Sequence, residues 1–258
     1  MRFNGGAALP WSRVERILSG RPGPTPVPVD HVPDATDTPK VGHSAVPFAE
    51  LHAVSSYSFL RGASEPEELV ARAVELGMQG MALVDRDGFY GLMKFAEAAA
   101  KVGLPAVFGA ELSLEPAPLT VLARTPEGYR RLSRLISRAR MEAGEKDAVR
   151  YPPLAEIAAD LQDECLFLVG WEWAEHFDLL LERIKIDSMV LEYSCTQTPE
   201  DSDRHALLDS CPVPRAIATA RPAAATRDRA RLAGAKQALS RRLALADASP
   251  NSHPMGCL

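Results

Sequence analysis

Four apolar runs in this 258-residue chain carry or lead into side chains able to do chemistry. FAELHAV (48–54) holds His52, GMALVD (80–85) runs into Asp85-Arg86-Asp87-Gly88, AVFGAEL (106–112) holds Glu111, and SMVLEYS (188–194) leads from Glu192 to Cys195. An imidazole and carboxylates converging at one place suit divalent metal ions, which take nitrogen and oxygen donors at about 2.0–2.6 Å. A hydrolytic cluster of two or three metals needs more ligands than these. Of six histidines, His31 and His43 sit among prolines, His176 in WEWAEHF, His205 in a helical stretch and His253 near the end, so only His52 finishes a strand. Such a composition makes a histidine-rich metal cluster hard to build. Cys165, Cys195, Cys211 and Cys257 lack C-x-x-C spacing, so neither a zinc knuckle nor a disulfide framework is indicated.

The elements that must position these groups alternate. Besides the four runs above, LTVLAR (119–124), CLFLVG (165–170) and RAIATA (215–220) read as strands. Helical patterns fall at 65–77, where Pro66 suits a first turn and Gly77 a C-cap, and at 89–103, 126–140 and about 224–246. Seven strands with intervening helices predict an α/β domain of mostly parallel strands, either a barrel or an open sheet. In such folds chemistry sits at the C-terminal strand ends. Upstream, residues 1–19 contain one short helix, Trp11 to Ser19, with Ser12 as N-cap. Residues 20–47 form a proline-rich linker, 48–250 the α/β domain, and 251–258 a loop-like tail. No apolar run approaches the roughly 18 residues of a membrane helix, and the first residues lack a secretory signal, so a cytoplasmic protein is expected. The net charge of -5 argues against a protein that coats nucleic acid.

FAELHAVSSYSFLRGASEPEELVARAVELG, MALVDRDGFYGLMKFAEAA, VFGAELSL and LTVLARTPEGYRRLSRL, in that order, resemble the N-terminal PHP (polymerase and histidinol phosphatase) domain of bacterial C-family DNA polymerases. Within that group the likeness is to the error-prone, actinobacterial type, and PWSRVERILSG is similar to the leader of that type. The likeness is specific over about 48–140 and collinear to about 250. It implies a distorted (β/α)7 barrel, preceded by a short helix and a proline-rich arm, with a metal site at the C-terminal rim of the strands.

Carried over residue by residue, that metal site is depleted. The family's His-x-His is His52-Ala53-Val54, its aspartate before Gly-Ala is Arg61, and its Asp-His-Asp-Gly is Asp85-Arg86-Asp87-Gly88. Glu111 in GAEL is kept. The histidine expected in 116–119 and those near Cys195 are absent, and the family's late Asp-x-His falls at Arg221-Pro222-Ala223. Two metal positions, His52 and Glu111, survive with Asp85 as a supporting partner, while Val54, Arg61 and Arg86 occupy ligand positions. Valine has no lone pair to give, and arginine, always protonated, repels a cation. Without several direct ligands no metal can bring the pKa of a bound water near neutrality. No catalytic residue and no cofactor are therefore expected, and His52 and Glu111 read as a vestigial pair. Arg61 and Arg86 become candidates to replace the metals' positive charge, each pairing with Glu111 or Asp85.

The resemblance implies a structural and interaction module of an error-prone polymerase, serving DNA replication and translesion repair synthesis. Its partners would be the polymerase palm and thumb, in cis or in trans. C-family polymerases are several times longer, and their catalytic carboxylates lie in a palm these residues do not supply, so the chain alone is expected to be non-catalytic. Two other readings remain open: a stand-alone PHP-type phosphoesterase holding zinc or manganese, and a polymerase-derived DNA-binding module. The latter would use the basic helices 126–140 and 224–246 for weak DNA contact.

Overall fold

The computed structural model describes residues 46–145, 148–194, 200–244 and 257–258. The helix expected at 11–19, the arm up to residue 45, Cys195 and residues 251–256 of the tail lie outside them.

Seven strands form one sheet in sequential order: β1 (Ala49–Ala53), β2 (Gly80–Arg86), β3 (Ala106–Leu112), β4 (Leu119–Ala123), β5 (Cys165–Val169), β6 (Met189–Ser194) and β7 (Ala216–Thr219). All seven expected strands are present. Pairing is parallel except on both sides of β4. That exception has a local cause. Only Ser113 to Pro118 connect β3 to β4, too few residues for a crossover, so the chain must return antiparallel.

Seven α-helices occur among the described residues: α1 (Pro66–Glu75), α2 (Leu92–Val102), α3 (Pro126–Ala143), α4 (Leu154–Leu161), α5 (Phe177–Arg183), α6 (Asp201–Asp209) and α7 (Arg227–Ser240). Their ends follow the local sequence. The α1 N-terminus has Pro66 in its first turn, and the Glu65 amide donates to the Glu68 carboxylate at 2.9 Å. Thr125 caps α3 by accepting from the Gly128 amide at 3.0 Å, and Gly144 ends that helix at φ 69°, a conformation that favours glycine. No described helix is long and apolar enough to cross a membrane.

Strand periodicity divides the core. Leu83, Val121, Phe167 and Leu191 point outward, under the helices, with Leu69, Phe95, Leu132, Ile157, Trp173 and Leu180. Their strand neighbours Ala82, Val84, Leu122, Leu168 and Val190 form a separate cluster with Val54 that contains no helix residue, which marks it as the barrel interior.

The barrel is nearly closed. The strand ladder does not continue from β7 to β1, and other bonds bridge the seam. The Val54 amide donates to the Pro222 carbonyl at 3.0 Å, Ala63 to Ala223 at 2.7 Å, and the Ala220 amide to Glu50 Oε2 at 2.7 Å.

Candidate functional site

Two residues beyond the apolar layer, inward-facing positions turn polar or to glycine. Glu111 follows Gly109 on β3, Gly170 follows Leu168 after β5, Glu192 follows Val190 on β6, and Thr219 follows Ile217 on β7. This period of two is why one rim of the barrel collects carboxylates from several strands.

At that rim His52 is the hub. It is 2% exposed, with Nδ1 2.7 Å from Glu192 Oε1 and Nε2 3.7 Å from Glu111 Oε2. Thr219 Oγ1 also donates to Glu192 Oε1, at 2.7 Å. Arg61, from the loop after β1, forks over Glu111: Nη1 bonds Oε1, and Nη2 reaches Oε2 at 3.3 Å. Arg221, just past β7, donates to Glu172 at 2.5 Å. Its charge acts on both Glu192 and Glu111. The result is a row of alternating charge across the rim: Arg61, Glu111, His52, Glu192, Arg221, Glu172. Glu50, fully buried, accepts from the His52 amide at 2.7 Å and ties this row to the seam.

The electrostatics follow from burial opposed by neighbours. Burial by itself would lower the His52 pKa, but the Glu192 charge and hydrogen bonds to Glu111 and Glu192 outweigh it and raise it to about 9. Burial pushes Glu192 up, and His52, with Arg221 and Thr219, brings it down to about 2. The same contest, decided by His52 and Arg61, holds Glu111 well below the usual carboxylate range. For Glu50 burial wins, raising it to about 7 against the Ala220 and His52 amides and the His52 charge.

Asp85 does not join the row. It accepts from the Ser55 amide at 2.9 Å and from the hydroxyls of Ser55 and Ser58, each within 2.9 Å, fastening the loop that carries Arg61. Gly62 must be glycine there, because a Cβ would lie 1.9 Å from the Ser55 carbonyl oxygen. Val54 packs inside the barrel.

Arg86 departs from expectation. Its side chain is 44% exposed and donates to Ser113 Oγ at 2.6 Å, with Asp87 Oδ2 at 3.7 Å, and it pairs with neither Glu111 nor Asp85. Asp87 explains this: at φ 48° it leaves the strand and binds the Ser113 amide and hydroxyl, drawing the Arg86 guanidinium to that side. The second guanidinium at the rim belongs to Arg221. In the sequence Arg221 stands out only at a lost ligand position, and Glu192, Glu172 and Glu50 have no evident partner. The signal available is a charged residue at inward parity in an apolar strand, as in VLEYS.

Some of the basic side chains on these helices have partners within the fold. On α3, Arg130 and Arg131 pair with Glu127 at 3.2 and 3.1 Å, Arg138 with Glu142 at 3.4 Å, and Arg140 donates twice to the Asp87 carbonyl. On α7, Arg229 pairs with Glu68 at 2.7 Å, and Lys236 donates to the Gly62 carbonyl at 2.8 Å.

A family profile described as PHP domain matches residues 50–193. The chain belongs to the PHP domain family. Among curated relatives, the error-prone DNA polymerase of Corynebacterium glutamicum is 47% identical over 99% of this chain and 25% of its own length. That of Corynebacterium efficiens is 50% identical over 97% of this chain and 26% of its own. The chain thus spans about a quarter of the length of these relatives. Among solved structures, an amidohydrolase from Chromobacterium violaceum aligns with a TM-score of 0.44 at 16% identity, covering 62% of this chain and 82% of that one.

Among the described residues, the side chains at the rim are not arranged to fit a divalent ion. Arg61 occupies both Glu111 oxygens, Glu192 occupies His52 Nδ1, and two fixed positive charges stand beside them. Among the described residues no group of three or more His, Cys, Asp or Glu side chains is arranged to hold a metal.

Proposed function

We propose that this chain is the PHP module of an error-prone C-family DNA polymerase, acting in replication and translesion repair synthesis as a structural and interaction domain. The observation that carries this reading is the match of nearly the whole chain, at 47–50% identity, to only a quarter of such polymerases. In it, residues 1–19 are a leading helix, 20–47 an arm, 48–250 the barrel and 251–258 a tail. The palm and thumb are partners in cis or in trans, in the cytoplasm. The rim contributes no hydrolysis: His52 and Glu111 are a relic of a metal site, and Val54, Arg61 and Arg86 stand where ligands would. A DNA-binding module draws less support, because Arg130, Arg131 and Arg138 on α3 sit beside acidic residues of their own helix and Arg140 is taken up by the Asp87 carbonyl.

A test is direct. The purified chain, supplied with ZnCl2 or MnCl2, is given a phosphomonoester, a phosphodiester and a 3′-labelled primer-template. No turnover is expected on any of them. Metal-dependent turnover abolished by His52→Ala would establish the phosphoesterase reading instead.

A further inference from the structure

We propose that Arg61, forked on the buried Glu111, and Arg221, paired with Glu172 at the same rim, act together as a built-in substitute for a metal centre, bracing the barrel seam without any ion. This rests on the PHP reading above, and the experiment below separates the two.

Glu111 and Glu192 each have side chains only 2% exposed and converge on one imidazole. Two carboxylates taken from water into one small space repel each other and take up protons unless a cation compensates them. Guanidinium groups suit that role, because they remain charged and their planar fork meets a carboxylate through two bonds. Arg61 makes such a fork on Glu111. Arg221 bonds Glu172 at 2.5 Å, and the space at Gly170 sets Glu172 and Glu192 side by side, so the Arg221 charge also favours the ionised Glu192.

Their placement matters as much as their charge. Arg61 follows β1 and Arg221 follows β7, so the two stand on opposite sides of the seam that the strand ladder leaves open. Both backbones are fastened. The Arg61 loop is held by Ser55 and Ser58 on Asp85 and by Lys236 on the Gly62 carbonyl. Arg221 adopts φ 46°, a left-handed conformation unusual for a residue with a side chain, between Ala220, bound to Glu50, and Pro222, bound to Val54. The alternating row of charge therefore crosses from the β1 side to the β7 side through His52, and bridges the seam by ion pairs where a ladder is missing.

The experiment follows thermal unfolding of the wild-type chain, Arg61→Asp, Arg61→Met and Arg221→Met in EDTA and in graded ZnCl2. The wild type should unfold at the same temperature in both. Arg61→Asp turns the clamp into a fourth donor beside Glu111, His52 and Glu192. It should lose roughly 5–15 °C in EDTA and regain stability as ZnCl2 rises, as a ligand bound only by the folded state requires. Should Arg61→Asp not fold, the two methionine variants decide: each removes the charge while keeping much of the volume, and each should unfold several degrees below wild type. Arg61→Asp insensitive to zinc, or methionine variants as stable as wild type, would overturn the inference and leave the polymerase-module reading intact. Wild type stabilised by zinc would instead overturn the ion-free reading of the domain as a whole.

Discussion

Replacing Glu192 with glutamine keeps its size and removes the charge at the centre of the rim. Glu192 accepts from His52 Nδ1 at 2.7 Å and from Thr219 at 2.7 Å, with its side chain 2% exposed. Its pKa, held at about 2 against an ordinary 4.5, corresponds to about 3 kcal/mol of preference for the ionised form in the folded chain. The same pairing seen from His52, raised to about 9 from 6.5, gives a figure of similar size, on the order of 3 kcal/mol. These are two views of one interaction and do not add. Removing one partner of a buried pair costs about 3–5 kcal/mol, in agreement. In a domain of this size that lowers the midpoint by roughly 6–20 °C. Urea and thermal unfolding at pH 7, followed by far-UV circular dichroism, measure it against Glu175→Gln, an exposed control. A Glu192→Gln loss no larger than that control would refute the view that the rim ions hold the barrel together.

Stability should peak in mild acid, near pH 5. His52, with its folded pKa raised to about 9, contributes stability fully present below 6.5 and lost as pH rises through 9. Glu192, with its folded pKa depressed, contributes stability present above 4.5 and lost as pH falls toward 2. Glu50, raised to about 7, favours the folded state while protonated and steepens the decline between 4.5 and 7. Urea midpoints from pH 4 to 9.5 trace the curve, and a maximum above pH 8 would contradict it. Arg86→Ala, at an exposed side chain bonded to Ser113, should change stability by no more than about 0.5 kcal/mol, as urea unfolding would show. Gly62→Ala, by contrast, drives a Cβ against the Ser55 carbonyl and should cost about 1–3 kcal/mol while loosening the Arg61 loop, visible as faster amide exchange at Ser55–Ala63.

The strands are legible because each is a short apolar run bounded by turn residues, and all seven lie where the runs do. The direction of β4 does not show in its apolar run, though its six-residue connection to β3 is the physical cause. The helices α4 and α5 are only 8 and 7 residues long. Over so short a span a helical period gives a weak signal, and packing against the sheet decides. At the site, His52, Glu111 and Arg61 can be named from motif positions. Which guanidinium reaches which carboxylate cannot, because that depends on barrel closure bringing residue 221 beside residue 192 and on Asp87 turning Arg86 away. Parity along one strand shows that Glu192 faces inward. It does not show that His52 meets it, since that contact spans 140 residues of sequence.

Whether fixed cations of the chain stand in for metals at the rim is decided by the metal content of the purified protein. The chain is loaded with ZnCl2 or MnCl2, desalted, and analysed for zinc, manganese and iron. Far less than one equivalent of any of them is expected. A stoichiometric ion retained through desalting, and lost in His52→Ala or Glu111→Gln, would contradict it.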